Sequence, residues 1–389
     1  MSFIRPADRI SRLPAQLFAR LISTTAALQA AGHDVINLGQ GNPDLPTPDF
    51  IVKAVQSAAA DPAYHRYSPF SGLKLLKEAA ANWYAREYQV ALDPETEVCI
   101  LIGAKLGLQE ISLCLLNEGD LCLMPDPGYP DYWSGVELAG GQSYPMELLA
   151  ENRFLPDFTA IPDAVARAAK LMFLNYPGNP TGAVCPPEFF QDVVRYASEN
   201  QIAVVHDLAY GDLVYDGRRR ISFLQTPGAK EVGVEFCTLS KSYNMAGWRI
   251  GFAAGNKEII RTMNLLQDHL NCSQWGAIQV AAAAALNGPQ DFVARNKAIF
   301  QGRRDLVPTG EPDQHIACDD VLVAVGQENA FPWIERDIGI EFDQWNMPKV
   351  DPKTFASTHP KIFFGGDAAF GPKNIIWAVA HGHEAAVSI

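Results

Sequence analysis

The sequence predicts an α/β protein built on a mostly parallel sheet. Five short apolar runs are typical of buried strands, at residues 98–103, 121–125, 171–176, 202–207 and 234–240. Segments with helical spacing of apolar residues lie between or after them, at residues 104–116, 187–200 and 257–286. Short apolar strands that alternate with helices indicate a sheet covered on both faces. Because ligands of such sheets bind where strands end, polar motifs at those points are candidates for a site.

Composition and charge narrow the class of protein. The chain has 389 residues, 48% hydrophobic and 19% charged, which is enough for two or three domains. Its net charge of −13 argues against general binding to nucleic acids or anionic membranes. Because there is no signal-peptide pattern and no apolar run of about 18 residues, we expect a cytoplasmic protein. The seven cysteines are scattered without a CxxC pair, so we expect buried free thiols and no metal site.

The N-terminal region is expected to form an arm. Residues 1–35 are predicted to be helical, with Pro14 among them, and residues 39–44 form a turn-rich loop. This loop starts with Gly39 and Gly41, as a dinucleotide fingerprint would. It lacks the third glycine, and Pro43 is poorly placed for the start of a helix, so we discard a Rossmann interpretation.

A lysine follows the last predicted strand, inside a loop of small residues. The loop reads Ser240-Lys241-Ser242-Tyr243-Asn244-Met245-Ala246-Gly247-Trp248-Arg249. A buried lysine needs a partner or a lowered pKa, and either makes it a candidate amine nucleophile. The guanidinium of Arg249 and the hydroxyls of Thr238 and Ser240 suit a phosphate. Alone, Lys241 would more often be a surface-loop lysine, and the whole string is far more specific.

Polar groups also follow two other predicted strands. An isolated Asp207 would most often cap a helix, and its functional interpretation is a charge-assisted bond to a protonated pyridine nitrogen. Tyr210, three residues on, could donate to the phenolate oxygen of the same ring. Asn179 lies in a turn rich in proline and glycine, and its amide could reach that oxygen, although the Asn-Pro and Pro-Gly pairs alone indicate only a turn.

A glycine turn and a stiff aromatic loop complete the pattern. Gly103-Ala104-Lys105 joins a strand to a helix, and free N–H groups at a helix N-terminus bind phosphate well. A lone glycine turn is a weak signal. Tyr129 lies in a proline-rich loop, where it could stack on a flat ring or serve as a structural aromatic.

Together, these five motifs resemble the class I/II aminotransferases of the fold-type-I pyridoxal-phosphate family. The resemblance covers about residues 1–304, and residues 33–44 and 130–135 also fit it. It is closest to the branch with the methionine-salvage transaminase that acts on 4-methylthio-2-oxobutanoate. The resemblance implies a three-layer large domain with a mostly parallel sheet, pyridoxal phosphate as cofactor, and amino acids and 2-oxo acids as substrates.

The resemblance also implies a role for each matching residue. Lys241 would be the Schiff-base lysine and general base, and Asp207 would pair with the pyridine nitrogen. Asn179 and Tyr210 would face the ring oxygen, while Tyr129 would stack on the ring. The phosphate would be surrounded by Gly103, Ala104, Lys105, Thr238, Ser240 and Arg249. The substrate would contact Gly41 and Asn179. Tyr67 matches a tyrosine that reaches the phosphate of the neighbouring subunit, which implies a twofold homodimer.

The last part of the chain departs from this pattern. The small domain of the family normally supplies an arginine for the substrate carboxylate, but the only arginine after Asp305 is Arg336, which does not match. Residues 319–326 and 361–369 are predicted to be strands leading into glycine turns, and 374–389 a helix. Residues 303–389 resemble the C-terminal part of the FAD- and NAD(P)-dependent oxidoreductases related to the glutamate synthase small chain. In that family, the positions of Gly366 and Asp367 contact FAD, but its glycine-rich FAD loop and nicotinamide domain are absent here.

The sequence therefore predicts a chimera of four parts. These are an arm at 1–35, a cofactor-binding large domain at 36–286, the start of a small domain at 287–304, and an unrelated oxidoreductase-like segment at 305–389. Such a replacement would leave sheet edges and apolar faces of the small domain uncovered. The open alternatives are an active aminotransferase, a FAD/NAD(P) oxidoreductase fragment, and a pyridoxal-phosphate protein without turnover. Other fold-type-I reactions, such as those of lyases or racemases, also stay open.

Overall fold

A seven-stranded sheet organises the computed structural model, which describes residues 5–13, 17–35, 43–304, 321–323, 339–342, 348–351, 354, 356–359 and 362–364. The strands of this sheet are β1 Val98–Leu101, β2 Leu121–Asp126, β3 Gln142–Glu147, β4 Ala169–Asn175, β5 Ala203–Asp207, β6 Gly233–Thr238 and β7 Gly251–Gly255. The helices of the N-terminal half are α1 Asp8–Ser11, α2 Leu17–Ala30, α3 Asp49–Ala59, α4 Lys74–Tyr88, α5 Ala104–Leu115, α6 Asp131–Ala139 and α7 Asp163–Ala168. The later ones are α8 Pro187–Asn200, α9 Ala229–Val232, α10 Lys257–Leu270, α11 Gly276–Asn287 and α12 Asp291–Arg304.

The sheet is mostly parallel, as the sequence predicts. Its strand order is β1-β7-β6-β5-β4-β2-β3. Every neighbouring pair from β6 to β3 is parallel, and β7 is antiparallel to both of its neighbours, β1 and β6. Two strands were not predicted. The edge strand β3 is polar and partly exposed, and β7 consists of glycine, alanine and one phenylalanine, so neither shows a β-branched apolar run.

Helices cover both faces of the sheet and form a three-layer structure. Along β4, Phe173 faces a core shared with α5, α6 and α10, whereas Met172 faces a core shared with α3, α4, α8 and α11. In β5, Val205 faces the same core as Phe173, and Val204 faces the same core as Met172. Strands buried on both faces need continuous apolar runs, which is why their sequence reveals them. The predicted α/β class is confirmed.

One predicted helix is two helices in the structure. Residues 257–286 were expected to be continuous, but α10 ends at Leu270 and α11 begins at Gly276. The side chain of Asn271 accepts a hydrogen bond from the backbone N–H of Ser273 at 2.8 Å. Such a local bond competes with helical hydrogen bonding, and Ser273 has a φ of 63°, in the left-handed region. The expected N-terminal arm contains α1 and α2, while Pro14 lies outside the described residues.

In the C-terminal part, Val321–Val323 and Ile362–Phe364 form a parallel pair of short strands, β8 and β9. Both lie within stretches predicted to be strands. Arg336, Gly366, Asp367 and the predicted helix at 374–389 lie outside the described residues.

The cysteines of the described part are free thiols. The predicted burial holds for Cys99, Cys122, Cys185 and Cys237. It is wrong for Cys272, which is exposed, and Cys318 lies outside the described residues. Among the helices that the structure describes, none has the length and apolar content to cross a bilayer.

A buried polar cluster lies between β5 and β6, on the face that α4 and α8 cover. Its centre is Glu235, whose side chain is fully buried. The carboxylate contacts the His206 ring nitrogen Nδ1 at 2.6 Å and accepts hydrogen bonds from the hydroxyls of Tyr84 and Ser222, at 2.8 and 2.6 Å. The backbone N–H of Phe223 donates to it at 2.8 Å. One carboxylate thus satisfies several buried polar groups from three other chain segments.

We expect Glu235→Ala to lower the free energy of unfolding by about 3 kcal/mol or more, because each buried donor left without an acceptor costs about 1–3 kcal/mol. Urea denaturation of the full chain would measure the change. Glu151→Ala, at an exposed position, is the control and should change stability by no more than about 0.5 kcal/mol. A loss below about 1 kcal/mol for Glu235→Ala would contradict a structural role for the cluster.

Candidate active site

The predicted polar motifs converge at one edge of the sheet. Because β4, β5 and β6 are parallel, their carboxyl ends, at Asn175, Asp207 and Thr238, lie at the same edge. Asn175 and Asp207 are direct partners in the strand register. The antiparallel β7 begins at this edge, so Arg249 lies there too, and β1 reaches it just before Gly103. This edge is where open α/β sheets bind their ligands.

The amine of Lys241 lies in this cluster with a lowered pKa. Burial is the main cause of the lowered pKa, and the positive charge of Arg249 adds to it, whereas the negative charge of Asp207 opposes it. The Nζ atom lies 5.7 Å from the centre of the Tyr210 ring. Within the described part of the chain, this amine forms neither a hydrogen bond nor an ion pair with a side chain. A partly buried amine with a lowered pKa is available as a nucleophile.

Asp207 is a buried carboxylate, 5% exposed. Its Oδ2 accepts a hydrogen bond from the Tyr132 hydroxyl at 2.8 Å, and its Oδ1 accepts one from the Ala209 N–H at 3.1 Å. Burial raises the pKa of Asp207, and the hydrogen bond from Tyr132 is the largest effect that opposes this. Within the described ranges, no lysine, arginine or histidine forms an ion pair with Asp207. A buried carboxylate of this kind is suited to a cationic ligand.

Asn179 and Tyr210 are the two residues expected to face one ligand atom. The side chain of Asn179 lies close enough to the Tyr210 hydroxyl to affect its pKa. Burial raises the pKa of Tyr210 to about 12, the charge of Asp207 adds to this, and the bond from Asn179 opposes it. The Asn175 side chain links Asn179 to the end of β5: its Nδ2 donates to the Asp207 carbonyl at 2.7 Å, and its Oδ1 accepts from the Asn179 N–H at 2.6 Å.

A possible anion site lies at the N-terminus of α5. Gly103 has a φ of 79°, and a Cβ atom there would collide with the guanidinium of Arg249, so the position requires glycine. No side chain of the described part caps α5, which leaves the N–H groups of Ala104 and its neighbours for an anion. The Thr238 hydroxyl donates to the Ser240 hydroxyl oxygen at 2.8 Å. Together, the glycine, the helix N-terminus, the hydroxyls and the arginine have the chemistry to bind a phosphate.

Lys105 and Tyr129 both lie beside the carboxylate of Asp131. The Lys105 Nζ lies 3.0 Å from Asp131 Oδ2, and the Tyr129 hydroxyl lies close to the same carboxylate. Burial raises the pKa of Tyr129, and the charge of Asp131 raises it further. The ring of Tyr129 packs edge-on against that of Tyr132, with centroids 5.6 Å apart.

Tyr67 is 85% exposed, and the described contacts of the cluster do not include it. Gly41 lies outside the described residues. Sequence reasoning missed Tyr132, Asn175 and Asp131 as site residues. All three lie in or next to the sequence motifs described above. Only the folded chain shows that Tyr132 reaches Asp207, 75 positions away.

Fold and cluster together define a class of protein. The cluster offers a nucleophilic amine, a buried carboxylate suited to a cation, two donors for a phenolate oxygen, and a phosphate site. This set fits pyridoxal phosphate, which carries a carbonyl carbon, a basic ring nitrogen, a ring hydroxyl and a phosphate. The class is that of the pyridoxal-phosphate enzymes with an α/β fold.

The family follows from comparison with known proteins. Residues 33–333 match the family model described as aminotransferase class I and II. The chain belongs to this family, its cofactor is pyridoxal phosphate, and its reaction is amino-group transfer. The match extends past residue 304, where sequence reasoning placed the end of the resemblance.

Three known proteins illustrate the similarity. L-glutamine–4-(methylsulfanyl)-2-oxobutanoate aminotransferase of Bacillus subtilis (strain 168) is 55% identical over 339 residues, which cover 87% of this chain and 83% of the relative. LL-diaminopimelate aminotransferase of Moorella thermoacetica is 48% identical over 307 residues, 79% of each chain. The substrate-bound structure of BacF from Bacillus subtilis has a TM-score of 0.76 at 44% identity, and it covers 78% of this chain and 77% of that one.

The charges around Lys241 predict opposite pH shifts for two substitutions. Without cofactor, the protein should react with pyridoxal, which lacks the phosphate, at a rate that rises with pH as Lys241 loses its proton. Arg249→Met removes a charge that lowers the pKa, so the midpoint of this profile should move to higher pH. Asp207→Asn removes a charge that raises the pKa, so the midpoint should move to lower pH. Stopped-flow absorbance would measure both, with the exposed Arg261→Met as control. Shifts of the same sign would contradict this description.

Tyr132→Phe should slow amino-group transfer about 10- to 100-fold, because a hydrogen bond to a charged group contributes about 1.5–3 kcal/mol. It removes the largest effect that opposes the raised pKa of Asp207. Tyr84→Phe is the matched control, since that buried hydroxyl also donates to a buried carboxylate at 2.8 Å, but to Glu235. Single-turnover kinetics would measure the rates. Equal losses in the two variants would show a general effect of a lost buried hydrogen bond.

Proposed function

We propose that the cluster at the strand ends catalyses amino-group transfer from L-glutamine to 4-(methylsulfanyl)-2-oxobutanoate, which forms methionine, or between methionine and another 2-oxo acid. The observation that carries the proposed site is the Lys241 amine, with its lowered pKa, 5.7 Å from the Tyr210 ring. The choice of substrates is supported by the relative named for glutamine and this oxo acid, which is 55% identical.

We assign the proton transfer to Lys241 and the control of ring charge to Asp207. When bound, pyridoxal phosphate supplies the electron sink for the electron pair left on the substrate α-carbon. Lys241 would hold the cofactor through Nζ. Once an amino acid has displaced it, the amine would act as the general base that takes a proton from the substrate α-carbon and delivers it to C4′ of the cofactor. Asp207, as a carboxylate, would keep the proton on the ring nitrogen, and the hydrogen bond from Tyr132 supports the ionised form of Asp207.

The remaining residues bind and orient the cofactor. Asn179 and Tyr210 would face the ring oxygen, and Tyr129 would stack on the ring. The phosphate would be held by Gly103, Ala104, Lys105, Thr238, Ser240 and Arg249. Asn179 and Gly41 also contact the substrate, which is a proposal that rests on the resemblance alone.

We further propose a cytoplasmic homodimer with shared sites. The large exposed fraction of Tyr67, 85%, supports a role outside its own subunit. A tyrosine hydroxyl contributed by the partner would complete the phosphate site. The division into an arm at 1–35, a large domain at 36–286 and a first part of a small domain at 287–304 belongs to the same proposal.

The oxidoreductase-like origin of residues 305–389 is a separate proposal. It is supported by the strand and glycine pattern around Gly366 and Asp367. The family match to residue 333 crosses the proposed boundary and counts against it. The absence of a matching arginine after Asp305 leaves the residue that binds the substrate carboxylate unassigned.

Absorbance spectroscopy of the full chain tests the function. With pyridoxal phosphate bound, the band of the lysine-attached cofactor should convert to that of the amine form when L-glutamine or methionine is added. It should return when 4-(methylsulfanyl)-2-oxobutanoate follows. Lys241→Ala should not form the first band, and Lys230→Ala, at a lysine paired with Glu97 away from the cluster, is the control. A sizing column run on the same preparation tests the dimer.

The outcomes separate the alternatives. A cofactor band that does not respond to any amino acid would favour a binding protein without turnover. Conversion by LL-diaminopimelate but not by glutamine or methionine would contradict the proposed substrates. A flavin spectrum in the purified protein would favour the oxidoreductase alternative.

A further inference from the structure

Asp131 lies between Lys105 and Tyr129, two residues of the proposed site that belong to different sequence motifs. It is the first residue of α6 and is 5% exposed. Its Oδ2 lies 3.0 Å from the Lys105 Nζ, and its Oδ1 accepts a hydrogen bond from Gln109 Nε2 at 3.5 Å. The Tyr129 hydroxyl lies close to the same carboxylate, whose charge adds to burial in raising the pKa of Tyr129. One side chain therefore joins the first turn of α5 to the loop that carries the ring-stacking tyrosine.

The environment of Asp131 suits a fixed anion. The N-terminus of α6 favours a negative charge at this position. The carboxylate side chain is 6% exposed, whereas the lysine side chain is 45% exposed. The buried partner is thus the anchor, and the flexible four-carbon stem of Lys105 is what it orders.

We propose that Asp131 is a positioning residue that orients one side chain at each end of the cofactor. It holds the Lys105 ammonium at the phosphate site and the Tyr129 ring over the pyridine ring. This inference rests on the phosphate-binding and stacking roles proposed above for Lys105 and Tyr129. It gives Asp131 no contact with substrate or cofactor.

Two physical effects of Asp131 on cofactor binding have opposite signs. A carboxylate beside the phosphate site repels the phosphate and weakens binding. Ordering Lys105 and Tyr129 in advance strengthens binding, because less side-chain freedom is lost when the cofactor arrives. In our proposal the second effect is the larger. A substitution that removes the charge of Asp131 decides between them, because it raises the dissociation constant if ordering dominates and lowers it if repulsion dominates.

The test is Asp131→Asn in the full chain, which keeps the shape of the side chain and removes its charge. Absorbance titration of the cofactor-free protein with pyridoxal phosphate should give a dissociation constant about tenfold higher than in the wild type. The visible circular dichroism of the bound cofactor should fall, because that signal depends on how the ring is held. Asp163→Asn is the control, since Asp163 also lies in the first turn of a helix, α7, and pairs with Arg167 at 3.6 Å on the surface. It should change neither reading.

Lys105→Met separates this inference from the proposed function. If it binds pyridoxal phosphate as tightly as the wild type, the phosphate role of Lys105 fails, and the positioning role of Asp131 fails with it. If it binds more weakly while Asp131→Asn binds as tightly as the wild type or more tightly, only the positioning role is overturned. The double variant should lose less than the product of the two single changes, because both act on one contact.

Tyr129→Phe gives a second test that leaves the carboxylate in place. It keeps the aromatic ring and removes only the hydroxyl that lies close to Asp131. We expect the circular dichroism of the bound cofactor to fall as in Asp131→Asn. An unchanged signal in Tyr129→Phe would overturn the part of the proposal that concerns the ring.

Discussion

The burial of the Asp207 carboxylate is the constraint on which the site depends. A carboxylate at the end of a central strand loses most of its hydration, and that loss must be offset by hydrogen bonds and by a cation. Tyr132 and Ala209 supply the hydrogen bonds. In our proposal, the ring nitrogen of the cofactor supplies the cation. Binding the ring and stabilising the carboxylate are therefore one requirement, and the same burial that raises the pKa of Asp207 makes it a strong partner for a protonated ring.

Much of the fold could be predicted from sequence because its strands are buried on both faces and so carry continuous apolar runs. β3 and β7 could not, since one is polar at the sheet edge and the other gains its strand conformation from pairing with β1 and β6. The break between α10 and α11 depends on a local bond of Asn271 that no helical period reveals.

The cofactor cluster could be predicted as a set of motifs, but not as a set of contacts. Lys241, Asp207 and Asn179 stand out because they end strands or fill distinctive loops. The supporting residues Asn175, Tyr132 and Asp131 act through partners fixed only by the fold, and a tyrosine or aspartate in the first turn of a helix is ordinary in itself. Sequence reasoning thus recognises groups with unusual chemistry more readily than the groups that hold them.

The unpredicted break between α10 and α11 also bears on the site. Arg249 has a φ of 53°, in the left-handed region, a strained conformation for a non-glycine residue that costs on the order of 1–3 kcal/mol. Gln274, in the segment between the two helices, donates from its Nε2 to the carbonyls of Arg249 and Trp248, at 2.7 and 3.0 Å. A continuous helix would not present Gln274 in this way. The charge of Arg249 helps to lower the pKa of Lys241. The break between α10 and α11 therefore contributes to this lowered pKa, because it places Gln274 where it supports the backbone of Arg249.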